Sequence, residues 1–293
     1  MAGTKRVGHL GTLDPMAEGV LPLAMGRATR LIEYVGGDKS YLAELTFGVT
    51  TTTLDAEGEV LERRDASAVH RPAIEEALRV LALRTEQVPP MASALHHEGR
   101  RLYELFREGK TVEIAPRPVR IHRLFLVDFE SPRALLEVDC GPGTYIRSIA
   151  RDLGEMLGCG AHLSALTRTR RGPFGLESAV SLETLEQEGV QPWLLPPRDI
   201  VDRLPWLHLG GEAVTAVCHG KRIVLGGGED PAGTASALAS VPSAKDGAEA
   251  LRDGDDALCA LADARGDLVA IARLRGGEIQ PLKVFAGLEG ESS

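Results

Sequence analysis

The stretch GHLGTLDPMAEGVLPLAMGRATR, Gly8 to Arg30, places one aspartate, Asp14, between Leu13 and Pro15, just ahead of an apolar run. An Asp-Pro pair opens a helix or a turn. The carboxylate accepts from the first free N–H groups, and proline suits the first helical position because it has no N–H to lose. The pair therefore predicts a cap or turn at Asp14, with a helix after it. Gly8, Gly11 and Gly19 allow another backbone to come close. A chemical role for Asp14 needs partners from elsewhere in the chain.

The chain has 293 residues, room for two domains. It has no apolar run of about 18 residues, so no membrane-spanning helix is expected. MAGTKRVGHLGTLDP lacks the apolar core of a signal peptide. Cys140, Cys159, Cys218 and Cys259 form no CxxC pair and read as reduced thiols of a cytoplasmic protein. Cys159 and His162 have a ligand-like spacing, but no second pair supports a metal. The net charge of −9 argues against a nucleic-acid partner until its distribution is read. Residues 96–175 carry 13 Lys+Arg against 10 Asp+Glu, while residues 176–293 carry 10 against 19. An acidic C-terminal part thus masks a positive segment, which holds RPVRIHR (117–123) and TRTRRG (167–172).

KSYLAELTFGVTTTTLDAEGEVLERR reads as two strands around a DAEG turn. RPAIEEALRVLALRT, 71–85, has helical apolar spacing at Ile74, Ala77, Leu78 and Leu81. The segment 88–112 begins at a Pro-Pro break and then turns helical, an inserted arm with Leu102, Leu105 and Phe106 on one side. His96 and His97, adjacent on that helix, do not converge on one point and read as arm surface. RLFLVDFESPRALLEVDC is a hairpin. GPGTYIRSIARDLGEMLGCG is a turn and a helix, with Thr144 as N-cap and Ile146, Ile149, Ala150 and Leu153 as buried stripe. Beyond Leu204 the pattern changes to short strands between glycine turns, a small β-rich domain. Its Gly/Ala/Ser/Asp-rich stretch, 226–257, reads as a flexible insert. Hairpins outnumber βαβ units, so the fold class expected is α+β, a mixed or antiparallel central sheet with flanking helices.

Asp14, Tyr41, Tyr145 and Arg147 each stand beside a turn in apolar surroundings. An aspartate that acts as a nucleophile must stay ionised away from water, and a nearby arginine favours the carboxylate. A tyrosine can stack on a flat substrate and exchange a proton. His9 either contacts a displaced base or phosphate, or hydrogen-bonds within its loop.

The Gly8–Arg30 stretch resembles the signature of the TruB family of tRNA pseudouridine synthases, G-H-x-G-T-L-D-P-x-A-x-G-V-L. DKSYLAELTFGVTTTTLDAEGEV, VPPMASALHHEGRRLYELFREG, RPVRIHRL and GPGTYIRSIARDLGEMLGCGAHLSALTRTRRGPF resemble its later blocks in the same order. The resemblance spans about residues 5–200, with a weaker PUA-like domain after it. It implies isomerisation of uridine-55 in the T loop of tRNA to pseudouridine, with no cofactor and no metal. The N1–C1′ bond breaks, the base turns, and C5 bonds to C1′. The base must first be flipped out, because the glycosidic bond is unreachable inside the folded loop. By resemblance Asp14 is the nucleophile, toward sugar or base. Arg147 pairs with it, Tyr145 contacts the base and is the candidate to remove the C5 proton, and Tyr41 stacks on the uracil. His9 holds the extruded nucleotide and Leu166 lines the pocket. The arm 88–112 closes on the T loop and the basic runs grip phosphates, making binding salt-sensitive. The implied domains are a catalytic one at 1–204 and a PUA-like RNA-binding one at 205–293, which reaches the acceptor end. The protein is expected to be a monomer that touches no membrane.

The sequence departs from the family pattern in three places. The family begins about 30 residues earlier, with a strand and helix carrying a Lys-Pro-x-Gly stretch, and a sheet without that strand has an open edge. Glu18 stands where a small or hydroxyl residue is usual, and could raise the Asp14 pKa or repel phosphate if it faced the site. His96 or His97 stands where lysine is common. The alternative to an isomerase is accordingly a catalytically weak module that binds or folds tRNA.

Overall fold

Alternation of apolar side chains builds the central sheet. The computed structural model describes residues 3–224 and 256–285, which form two compact units. One holds residues 11–22 and 37–179, the other residues 3–10, 23–36 and 180–285. In the first unit, strands β1 (Ala17–Gly19), β2 (Lys39–Phe47), β3 (Ile121–Glu130), β4 (Arg133–Cys140), β5 (Ala161–Arg171) and β6 (Phe174–Gly175) make a sheet of order β3-β4-β2-β5-β6. The short β1 joins it by parallel pairing with β5, and the other pairings are antiparallel. This is the expected α+β class with a mixed sheet.

Every second residue of β2, from Tyr41 through Ala43 and Leu45 to Phe47, is buried. Two helices cover that face. In α1 (Arg71–Ala82) the buried side chains are Ile74, Ala77, Leu78 and Leu81, the stripe read from the spacing. Its cap is His70, whose Nδ1 accepts from Ala73 N–H at 3.3 Å. In α2 (Ile146–Met156), Ile146, Ile149, Ala150 and Leu153 are buried as expected. Its N-cap, however, is Tyr145, not Thr144, and no side chain caps it. The Gln87 side chain instead bonds the Tyr145 backbone, its Oε1 accepting from Tyr145 N–H at 2.8 Å and its Nε2 donating to Tyr145 C=O at 3.1 Å.

The Asp-Pro pair opens a turn and no helix follows. Asp14 C=O accepts from Ala17 N–H at 2.9 Å, and the chain then runs straight into β1. Pairing with β5 demands extended backbone there, and tertiary hydrogen bonds override the local helix signal. Gly19 shows why the close approach needs glycine. Its φ is +98°, and a Cβ would lie 2.3 Å from the carbonyl oxygen of Arg168. Gly19→Ala is expected to lower stability by about 1–3 kcal/mol, seen as a lower urea midpoint with an unchanged slope.

KSYLAELTFGVTTTTLDAEGEVLERR contains one more break than expected. After β2, Val49–Thr51 pairs with Val60–Arg63 as a separate hairpin. The arm also differs: His96 and His97 lie on a strand, not a helix, and pair with Arg100 and Arg101. Glu98 (φ 49°) and Gly99 (φ 81°) supply the two left-handed residues of a tight hairpin turn. Only Leu102–Arg107 is helical, burying Leu102 and Leu105.

The second unit is built on β7 (Trp206–His208), α3 (Gly211–Cys218), β8 (Ile223–Val224), β9 (Ala257–Ala262), β10 (Leu268–Arg275) and β11 (Glu278–Val284). The sheet order is β7-β9-β10-β11-β8. Leu207, Val217, Cys259, Leu261, Val269 and Ile279 form its core. The segment Gly26–Tyr34 docks on the end of this sheet: Arg30 donates to Val284 C=O at 3.2 Å, and Lys283 pairs with Glu33. The stretch expected as an insert, 226–257, lies outside the described residues except for its last two positions. No helix among the described residues is long and apolar enough to cross a membrane.

Candidate active site

The turn before β1 presents the Asp14 carboxylate, which is one-third exposed. From the first turn of α2, Arg147 reaches it: Nη2 donates to Asp14 Oδ1 at 2.9 Å. Arg147 itself is almost wholly shielded, at 7% exposure, so its charge is not screened by water. A buried guanidinium needs further partners. Nη1 donates to Thr53 C=O at 3.2 Å and lies 3.4 Å from Asp55 Oδ2. Asp55 is held in turn by Thr53 Oγ1 at 2.5 Å and Glu57 N–H at 3.1 Å. Arg147 thus stands between two carboxylates, one buried and one facing outward.

Asp55 is a site residue that sequence reading missed. It lies in TTTLDAEG, where Asp, Ala and Gly signal only a turn. Leu54, at φ 66°, is the one trace of something unusual, and it is visible only in the backbone. Pairing of Asp55 with Leu163 on β5 brings this loop inward.

Arg168 also has a role that its sequence context hid. TRTRRG reads as a basic surface run, yet Arg168 has no exposed area. Its Nε donates to Val20 C=O at 2.7 Å, Nη1 to Thr12 C=O at 3.3 Å and Nη2 to Gly11 C=O at 3.0 Å. Three tethers from one fork hold both ends of the loop that carries Asp14. Arg168 therefore cannot grip phosphate. Arg117, Arg120 and Arg123 of the other run are exposed.

Tyr41, opposite Arg168 in the sheet register, is buried to 7% exposure. Burial pushes its phenol up to about 12, against the pull of the Arg168 charge and hydrogen bond. Leu166, also buried, sits between Ala43 of β2 and Ala17 of β1. Burial, then Arg171 and Arg168, lower the pKa of Lys39 at the head of β2. Tyr145 is half-buried. Burial raises its pKa, while Ser93, Arg147 and Arg117 draw it down and Asp14 adds to the rise. Asp14, Arg147, Tyr145, Tyr41 and Leu166 thus gather in one unit. His9 falls in the other, exposed on a hairpin strand opposite Leu23. Glu18 is exposed on β1.

The arrangement offers a carboxylate on a tethered loop, clamped by a shielded guanidinium, with two phenols in electrostatic reach. That set suits nucleophilic attack and proton transfer on a flat, polar substrate.

Comparison with known proteins gives the family. Residues 1–146 match the profile of the TruB family pseudouridylate synthase N-terminal domain, and residues 147–192 that of the tRNA pseudouridylate synthase B C-terminal domain. The tRNA pseudouridine synthase B of Symbiobacterium thermophilum is 50% identical over 222 residues, 74% of each chain. That of Thiobacillus denitrificans is 41% identical over 293 residues, 99% of this chain and 89% of the relative. A Cbf5–Nop10–Gar1 complex contains a chain of the same fold, with a TM-score of 0.64 at 24% identity, covering 96% of this chain and 76% of that one. An H/ACA RNP bound to a substrate RNA containing 2′-deoxyuridine contains another, with a TM-score of 0.63 at 22% identity, over 96% and 76%. With family profiles covering residues 1–192 and a close relative spanning nearly its whole length, this chain belongs to the TruB family of pseudouridylate synthases.

Proposed function

We propose that this protein converts uridine-55 in the T loop of tRNA to pseudouridine, with Asp14 as nucleophile. The observation that carries the reading is the 2.9 Å pair between Asp14 and a shielded Arg147. The pair holds the carboxylate in one orientation as RNA displaces water from the site. In this reading Asp14 attacks the flipped nucleotide, the N1–C1′ bond breaks, the uracil turns to join C5 to C1′, and the bond to Asp14 breaks to return its carboxylate. C5 then carries a hydrogen that must leave. Tyr145, once its own proton has passed to solvent, takes that proton as the phenolate and becomes the phenol, and the C–H electron pair restores the C5=C6 double bond. Tyr41 and Leu166 line the base pocket. The arm 88–112 closes over the T loop, and Arg117, Arg120 and Arg123 hold phosphates. The relatives named tRNA pseudouridine synthase B support tRNA as the substrate. In this reading the chain works as a catalytic domain at 1–204 and a PUA-like RNA-binding domain at 205–293 toward the acceptor end, with the chemistry carried by the unit of residues 11–22 and 37–179. The enzyme works as a monomer in the cytoplasm.

The test is release of tritium from tRNA transcripts made with 5-tritiated uridine. Near one tritium per tRNA is expected, and a transcript with cytidine at position 55 should release none. Undiminished release from that transcript would rule out the T-loop assignment.

A further inference from the structure

The arm 88–112 is closed at its root by backbone pairing. Glu86 and Gln87 pair antiparallel with Pro118 and Arg117, and Val119 N–H donates to Thr85 C=O at 2.8 Å. From this root the Gln87 side chain, 6% exposed, reaches α2 and bonds both backbone groups of Tyr145. A side-chain amide suits this task because it carries an acceptor and a donor on one planar group. The Tyr145 C=O already accepts from Ile149 N–H at 3.3 Å, the first bond of the helix. The second bond, from Gln87 Nε2, therefore goes beyond what starting the helix requires. The Tyr145 N–H precedes the helical ladder, so the helix does not fix that side of the residue, and Gln87 Oε1 does. The next residue is seated on α2 as well: Val88 C=O accepts from Ser148 Oγ at 2.9 Å and from Arg151 Nη2 at 3.2 Å.

We propose that Gln87 is a positioning residue for the isomerisation: its amide holds the Tyr145 backbone on both sides and so sets where the phenol projects. The inference rests on reading Tyr145 as the acceptor of the C5 proton. Gln87 takes no part in that proton transfer. A tyrosine ring has two side-chain torsions, so its place depends on where the backbone aims the Cα–Cβ bond and on what packs around it. The Tyr145 ring is only half-buried, and packing alone leaves it room to move. A reacting group needs support from bonded neighbours to keep its geometry, and the Gln87 amide supplies it through the backbone. The segment that leads into the arm thus also holds the reacting phenol, and both hang on one side chain.

The experiment uses the full chain and a T-arm RNA. Single-turnover rates at saturating RNA are measured for wild type, Gln87→Met, Tyr145→Phe and the double variant, each below its melting temperature. Methionine keeps the length of glutamine and offers neither bond to Tyr145. Gln87→Met is expected to slow the reaction by about tenfold to a hundredfold, the order that misplacing a reacting group by about 1 Å costs. RNA affinity should be unchanged, because the backbone pairing of Gln87 with Arg117 and the bonds to Val88 remain. In the Tyr145→Phe background the same substitution should leave the rate as it is, since no phenol is left to misplace. Gln87→Glu keeps the acceptor for Tyr145 N–H and loses only the donor to Tyr145 C=O, so it carries the same comparison if Gln87→Met does not fold. An unchanged rate for the Gln87 variant in the otherwise wild-type chain would overturn the proposal. So would an equal loss in both backgrounds beside a slow Tyr145→Phe, which would mean that Gln87 supports the fold and not the phenol; the reading of Tyr145 would then stand. Tyr145→Phe at the wild-type rate would overturn that reading, and the Gln87 proposal with it.

Discussion

Asp14→Asn is expected to stop tritium release, by a factor on the order of 10⁴ or more, while T-arm RNA binds within about threefold of wild type. The substitution is chosen because so little else changes. Asparagine keeps an oxygen for Arg147 Nη2 to donate to, and the Asp14 C=O still closes the turn onto Ala17 N–H. The three bonds from Arg168 to the loop do not involve the Asp14 side chain. Asp55 still neutralises the Arg147 guanidinium from 3.4 Å. What is lost is the carboxylate's nucleophilicity. Parallel measurement of release and of filter-bound RNA separates the two functions. Full turnover by Asp14→Asn would end the nucleophile assignment. Wild-type chain that binds RNA but releases no tritium would instead favour a tRNA-binding or folding module.

Arg168→Met is expected to give the largest loss of stability among single substitutions near the site. Methionine can fill much of the volume but donates nothing. The carbonyl of Val20 would lose a buried partner, and those of Gly11 and Thr12 partly buried ones. At about 1 kcal/mol or more for each unsatisfied group, the cost is roughly 3 kcal/mol or greater. For a unit of this size that is a fall of roughly 10 °C in melting temperature. Arg168→Lys should recover little, since a single ammonium cannot span three carbonyls aimed from different directions. Turnover should fall as well at temperatures where the variant is folded, because the loop bearing Asp14 loses its tethers. Calorimetry together with tritium release checks both parts, and a melting temperature within about 1 °C of wild type would refute the anchoring role.

The stripes of α1 and α2 were legible residue by residue, since helical periodicity depends only on neighbours within a turn or two. So was the alternation of β2. The Asp-Pro signal was ambiguous in the same local terms, and pairing with β5 resolved it as a turn into a strand. Thr144 looked like a cap because its neighbours suit one, but the Gln87 side chain, 58 residues away, took over the start of α2. The two histidines of the arm read as helical surface until the Glu98–Gly99 turn folded them into a hairpin.

By itself the sequence determined the α+β class, the order of its blocks, and Asp14 and Arg147 as chemically suspect residues. These follow from short-range pattern and from motif. Only the tertiary structure decided that Asp55 backs Arg147, that Arg168 is an internal tether, and that Gln87 bonds the Tyr145 backbone. An arginine in a basic run and an aspartate in a turn look alike whether they face water or the interior. Burial and hydrogen-bond partners arise from contacts 92 to 157 residues apart in the chain for Arg147 with Asp55 and Arg168 with Gly11, and no local pattern encodes them.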